Sequence, residues 1–213
     1  MTKKGVITFD LGGTVLDDTE AWVYTAFDMA RRTPDQVDHL RCLGSTREVL
    51  KYVVGSDDEG TIETFWHRLE LCHWDRVKLF DDIVASIKIL SEEFEICLFS
   101  NKKIIYTRKV LERMEIDVYF HTVIGGDQYG RKPEPGGLNF IGRSLGYEAE
   151  QCYYVGDSPA DRDCARRAGW NFVVAAWRFG ATLEPLRSDC FHAADGTQLK
   201  AFFQGLPNGK IFI

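Results

Sequence analysis

The sequence has no basic excess, no long apolar run and no paired cysteine motif, and each absence removes a class of protein. Lysine and arginine together number 26 against 32 aspartates and glutamates, a net charge of −6. Nucleic-acid binders ordinarily carry a positive surplus that displaces counterions, so no nucleic-acid partner is expected. No stretch approaches the ~18 apolar residues of a membrane span, so no membrane association is expected. The charged start at Met1 to Gly5 is not followed by an apolar signal core. Cys42, Cys72, Cys97, Cys152, Cys164 and Cys190 form no Cys-x-x-Cys pair. They read as small core hydrophobes with reduced thiols, in a soluble, cytoplasmic chain. His67 and His73 flank Cys72, but no second ligand pair stands nearby to complete a zinc site. Internal repeats and low-complexity tracts are also missing. What remains is an ordinary globular composition, 45% hydrophobic over 213 residues, long enough for one domain or one domain with a modest insertion.

Gly5 to Asp10 is a short β-branched run ending in an acid followed by Gly12-Gly13, which predicts a buried strand feeding a glycine turn. From near Thr19 to about Leu79 the apolar spacing is helical, as in Val49, Val53 and Leu69, with breaks at Thr33-Pro34 and Gly55-Ser56. This segment is expected to be a helical insertion. Beyond it the pattern alternates. Strands are expected over Phe94–Ser100, Val118–Ile124, Cys152–Val155 and Asn171–Ala175. Helices are expected over Val84–Leu90, Lys109–Met114, Leu138–Leu145 and Ala160–Ala168, the last two ended by Gly146 and Gly169. Such alternation predicts βαβ units, hence an α/β fold with a doubly wound parallel sheet.

Ligands of such sheets bind beyond the carboxyl ends of the strands. The polar residues found there are Asp10, Ser100-Asn101-Lys102 and Asp157, with Arg131-Lys132-Pro133-Glu134-Pro135 between the last two. Two carboxylates can hold Mg²⁺, a lysine can neutralise phosphate oxygens, and hydroxyls and amides can hydrogen-bond them. A carboxylate can also be the nucleophile and form an aspartyl-phosphate. Singly, each residue has an ordinary explanation: a strand-end cap, a helix N-cap or a surface lysine. Four clusters following successive buried strands are harder to explain that way.

These motifs resemble the haloacid dehalogenase (HAD) superfamily of phosphatases and phosphomutases, over nearly the whole chain from Val6 to about Trp177. The resemblance is to its phosphoglycolate phosphatase and β-phosphoglucomutase-like branch, with a Rossmann-type core and a small helical cap. It rests on Phe9-Asp10-Leu11-Gly12-Gly13-Thr14-Val15-Leu16-Asp17, Ser100-Asn101-Lys102, Lys132-Pro133-Glu134-Pro135, and Gly156-Asp157-Ser158-Pro159-Ala160-Asp161. It implies that Asp10 attacks phosphorus and that Lys132 offsets the charge. It implies Mg²⁺ held by Asp10, the Gly12 carbonyl and Asp157, with Asp161 supporting. Thr14, Ser100 and Asn101 would surround the phosphoryl group of a small phosphorylated metabolite. The core would be residues 1–16 and 80–213, and the cap residues 17–79. Within the cap, Leu43-Gly44-Ser45-Thr46-Arg47-Glu48-Val49-Leu50 resembles the loop that reaches over the active site. Arg47 would touch substrate there or else lie solvated on its helix. The cap aromatics Trp22, Tyr24, Phe27, Phe65, Trp66 and Trp74 are expected chiefly to form its own core.

One position departs from the pattern. Phosphatases of the superfamily carry a second aspartate two residues after the nucleophile, which protonates the leaving group and then activates water. Gly12 stands there instead, and a glycine cannot supply general acid–base catalysis, typically worth ~10²–10⁴-fold. The backbone carbonyl used by the metal is kept. Three readings follow. The first is a slow or specialised Mg²⁺-dependent phosphohydrolase, with the proton supplied by water, by substrate, or by Asp17 or Asp18. The second is C–P or C–halogen cleavage. The C–P branch uses a cap lysine as a Schiff base where Arg47 stands here, with Lys51 one turn further on, and an arginine forms no such imine. The dehalogenase branch carries a bulky aromatic at the Gly12 position and needs no Mg²⁺, whereas Asp157 and Asp161 are intact. The third is a pseudo-phosphatase that binds a phosphorylated ligand or a protein partner.

Overall fold

The computed structural model describes residues 3–34, 46–177 and 190–206. Cys42 and the stretch Leu43-Gly44-Ser45 lie outside them. In chain order the described strands are β1 (Val6–Phe9), β2 (Leu16–Asp17), β3 (Lys78–Leu79), β4 (Glu95–Ser100), β5 (Thr122–Gly125), β6 (Cys152–Gly156), β7 (Asn171–Ala175) and β8 (Phe191–Ala193). The described helices are α1 (Thr19–Met29), α2 (Thr46–Val53), α3 (Glu59–Cys72), α4 (Asp81–Leu90), α5 (Ile104–Arg113), α6 (Gly136–Leu145), α7 (Pro159–Ala168) and α8 (Gly196–Gln204). Among the described residues no helix is long and apolar enough to cross a membrane. The chain divides into two compact units, one of Met1–Val15 with Leu79–Ile213, the other of Leu16–Lys78.

The first unit is an α/β layer structure. Its six strands run in the order β5-β4-β1-β6-β7-β8, every pair parallel. The apolar runs explain why. All four residues of β1 and all five of β6 are buried, as strands covered on both faces must be. Side chains alternate between those faces. Val6, Cys97, Phe99, Tyr154 and Phe172 join Leu138, Ile141 and Cys164, from α6 and α7, in one core cluster. On the opposite face Tyr153 meets Phe203 edge-on at 5.2 Å between ring centroids, and Phe94 meets Phe203 at 5.6 Å. Local signals set the helix ends: Pro159 opens α7 behind a Ser158 cap, and left-handed Gly146 and Gly169 end α6 and α7.

The second unit is helical. Trp22 and Phe27 of α1 and Phe65 and Trp66 of α3 are buried, while Tyr24 and Trp74 are half-buried. Asp58 caps α3 by accepting the Thr61 N–H at 2.8 Å. Ion pairs tie the helices on their outer side, Arg68 to Asp28 at 2.9 Å and Arg76 to Glu20 at 2.6 Å.

Two differences from the sequence pattern are informative. The stretch expected as one strand over Val118–Ile124 begins as a 3-10 turn, Asp117–Tyr119, and Val118 is 77% exposed. Its β-branched residue has no neighbouring strand there, and pairing starts only at Thr122. The second difference is β8 and α8, which the apolar pattern did not reveal. Besides the burial of Leu199 and Phe203, polar contacts secure the start of α8. The Gly196 N–H donates to Asp82 Oδ2 at 2.7 Å, and the Ser86 hydroxyl donates to the Gly196 carbonyl at 2.7 Å. A Cβ on Gly196 would sit 2.3 Å from the Asp82 carbonyl oxygen. Gly196→Ala is therefore expected to lower stability by about 1–3 kcal/mol through overpacking. A urea midpoint lowered at unchanged slope would show it; an unmoved midpoint would contradict this packing of α8 on α4.

Candidate active site

The site is built at the carboxyl edge of three adjacent strands. β1 lies between β4 and β6, with Phe9 opposite Leu98 on one side and Val155 on the other. The chain fills one side of β1 with β4 and β5 and then the other with β6 to β8, so β1 is where the strand order reverses. Such switch points leave a crevice beyond the strand ends. Asp10 follows β1, Ser100 ends β4 and Asp157 follows β6. The Asp10 N–H still donates to the Val155 carbonyl at 2.9 Å, which fixes its backbone to the sheet.

A lysine ammonium binds the cluster together. Lys132 Nζ lies 2.7 Å from Asp10 Oδ1 and 2.7 Å from Asp161 Oδ1, with all three residues buried. Burial works against the ammonium, but Asp10 and Asp161 outweigh it and hold its pKa above the ordinary lysine value. For Asp10, burial pushes the carboxyl up against the pull of Lys132; Asp161 adds to the rise and Lys102 opposes it, and the net shift is upward. The faces of Tyr154 and Phe99 lie 5.7 and 5.9 Å from Nζ, close enough for weak cation–π attraction.

Asp161 is engaged on both oxygens. Oδ1 takes the Lys132 ammonium and the Tyr154 hydroxyl, the latter at 3.1 Å. Oδ2 takes the Ser158 N–H at 3.0 Å and the Ser158 hydroxyl at 2.5 Å. Ser158 in turn caps α7, completing a capping box. The Tyr154 proton is shared with the Phe99 carbonyl at 2.9 Å. Burial, then the charges of Asp161 and Asp10, push its phenol well above the usual range, so it stays a donor. Gly156 makes room for this arrangement, since a Cβ there would stand 2.6 Å from the Asp161 side chain.

The remaining candidates fall around this core. Asn101 clamps the backbone of Lys132, its Oδ1 accepting the Lys132 N–H at 2.7 Å and its Nδ2 donating to the Lys132 carbonyl at 3.3 Å. Ser100 is buried, and its hydroxyl accepts the Lys102 N–H at 3.3 Å. Thr14 Oγ1 donates to Asp157 Oδ1 at 3.3 Å. Gly12 lies half-buried in the turn between them, followed by Gly13 at φ 80°. Arg47 belongs to the helical unit, where it pairs with Glu59 and donates to the Asp57 carbonyl at 2.7 Å. Ser158 and Tyr154 were missed by sequence reasoning. The Ser-x-x-Asp spacing of 158 and 161 is a cap signal that points to the first. Tyr154 reads as one more apolar strand residue.

Oxygen atoms of Asp10, Asp157 and Asp161 all lie within 4.8 Å of one another. Opposite ligands of an octahedral Mg²⁺ stand about 4 Å apart, so this all-oxygen, carboxylate-rich set fits a small hard cation. Because Asp161 is already saturated with donors, Asp10 and Asp157 fit direct ligation better.

A family model described as haloacid dehalogenase-like hydrolase matches residues 7–175. The chain belongs to that family of enzymes. Among curated relatives, the phosphoglycolate phosphatase of Aliivibrio fischeri is 30% identical over 185 residues, covering 77% of this chain and 80% of that protein. The phosphoglycolate phosphatase of Aquifex aeolicus is 29% identical over 183 residues, covering 82% and 85%. In fold, the chain is similar to a haloacid dehalogenase-like hydrolase from Streptococcus pneumoniae, with TM-score 0.77 and 20% identity over 94% of this chain and 98% of that one.

Removing the ammonium leaves two buried carboxylates facing each other. Lys132→Met is expected to cost about 3–5 kcal/mol, read from urea unfolding in EDTA. A variant as stable as the unmutated chain would show that Lys132 does not bind the cluster together.

Proposed function

We propose that the chain is a Mg²⁺-dependent phosphohydrolase that acts on a small phosphorylated metabolite through an aspartyl-phosphate on Asp10, slowed by Gly12. The observation that supports it most is the position of Asp10: backbone-fixed at the sheet's switch point, its carboxylate held by Lys132 beside Asp157. The relatives' name makes a small phosphorylated acid such as phosphoglycolate the first substrate to try.

In this reading a carboxylate oxygen of Asp10 attacks phosphorus, and the bond from phosphorus to the leaving oxygen breaks with its electron pair. Lys132 offsets charge on the phosphoryl oxygens, and its grip on Asp10 orients the attack. Ser100 and Thr14 offer hydroxyls to the phosphoryl group. Asn101 acts mainly by holding Lys132 in place. Mg²⁺, when held by Asp10, Asp157 and the Gly12 carbonyl with Asp161 supporting, supplies a counter-charge that makes attack by one anion on another feasible. Water then attacks the aspartyl-phosphate, releasing phosphate and regenerating the Asp10 carboxylate. Both steps need a proton relay that Gly12 cannot provide. The helical unit is proposed as the cap, covering the site during turnover, with Arg47 as its candidate substrate contact.

Gly12 itself favours a second reading, in which the site binds a phosphorylated ligand without turning it over. A paired assay separates the two. Hydrolysis of an activated aryl phosphate, whose leaving group needs no proton, is compared with hydrolysis of alkyl phosphates. Gly12→Asp is expected to raise alkyl turnover by roughly 10²–10⁴-fold and the rate of the initial aryl-alcohol burst far less. An unchanged alkyl rate would refute the role given to Gly12. Asp10→Asn is expected to abolish turnover of both; residual turnover at the unmutated rate would exclude Asp10 as nucleophile.

A further inference from the structure

The turn after Asp10 is anchored at its ends by the buried Leu11 and Val15, but its middle has no side chain to hold it. Gly12 and Gly13 contribute none, and the turn closes on itself through the Val15 N–H, which donates to the Leu11 carbonyl at 2.9 Å. Thr14 is wholly buried, and its hydroxyl is directed to Asp157. In the chain Thr14 lies between β1 and β2, outside both strands, so its carbonyl has no ladder partner. A buried carbonyl without a partner is costly. The partner comes from far along the chain: the indole N–H of Trp177, two residues past the end of β7, donates to the Thr14 carbonyl at 3.0 Å. Indole is a donor only, on a rigid side chain with few rotatable bonds.

We infer that Trp177 is a positioning residue for the phosphoryl site: its indole N–H latches the turn that presents the Gly12 carbonyl and the Asp10 carboxylate. The inference rests on the phosphoryl-transfer reading given above. The latch runs from Trp177 to the Thr14 backbone, and from the Thr14 side chain to Asp157. It thus ties the end of β7 to Asp157 directly, and to Asp10 only through the backbone of the turn. Leu11 and Val15 anchor the two ends of the turn by burial; between them the two glycines have no side chain, and the Trp177 and Thr14 hydrogen bonds hold that part.

The test titrates Mg²⁺ at fixed BeF₃⁻, a phosphoryl mimic, and follows the protein-bound fluoride signal by ¹⁹F NMR in the unmutated chain and in Trp177→Phe. Phenylalanine keeps a ring and removes the donor. The variant is expected to need roughly tenfold more Mg²⁺ for half-occupancy, the effect of losing about one hydrogen bond's worth of preorganisation. A variant with lowered thermal stability but an unchanged Mg²⁺ requirement would make Trp177 merely structural and overturn the inference. If the variant does not fold, the indole N–H resonance of Trp177 in the unmutated chain decides. Slow solvent exchange together with a shift on adding Mg²⁺ and BeF₃⁻ supports the latch; rapid exchange or no shift overturns it. Absence of any bound fluoride signal in the unmutated chain would refute the phosphoryl-site reading itself. A normal signal with identical titrations would refute the latch alone.

Discussion

The arrangement depends on one buried ammonium shared by two carboxylates. Lys132 sits equidistant from Asp10 and Asp161, and its charge opposes the upward push that burial gives the Asp10 carboxyl. Desolvating such a triad is expensive, and buried ion pairs are often no more stabilising than apolar packing. Its value lies elsewhere. A nucleophilic carboxylate must be anionic, dry and aimed, and a fixed cation meets all three needs before substrate arrives. The surrounding contacts serve that cation: Asn101 fixes its backbone from the end of β4, and Ser158 and Tyr154 fix Asp161 from β6 and the start of α7.

The sheet makes this economical. Parallel strands end at the same edge, so residues separated by most of the chain reach one crevice without a dedicated scaffold. β1, β4 and β6 are also the most completely buried strands, so the site stands on the most rigid part of the core. Close approaches are paid for in glycine at Gly156, where any side chain would strike Asp161.

Much of this was legible in the sequence for a physical reason. A strand buried on both faces must be a nearly continuous apolar run, and Val6–Phe9, Glu95–Ser100 and Cys152–Gly156 announce themselves as such. Polar residues directly behind such runs stand out against them. What was not legible is how polar groups are spent. Residue type does not say that the Asn101 amide is used on the backbone of Lys132, or that Asp161 saturates both oxygens on Ser158, Tyr154 and Lys132. Tyr154 hides because its ring belongs to the core while its hydroxyl belongs to the site. Trp177 hides because its partner is a backbone carbonyl 163 positions away. β8 and α8 were missed because a three-residue strand carries no period, and the nine-residue helix buries only Leu199 and Phe203 beside Gly196, too short an apolar face to stand out.

The central claim is that Asp10 accepts the phosphoryl group and that Gly12 slows its release. Acid-quenching the unmutated chain during turnover of an activated aryl phosphate with Mg²⁺, followed by peptide mass spectrometry, tests both halves at once. The expected result is a burst of aryl alcohol together with a phosphoryl group accumulating on the peptide that contains Asp10. Steady phosphate release with no phosphoryl group on Asp10 at any quench time would contradict it.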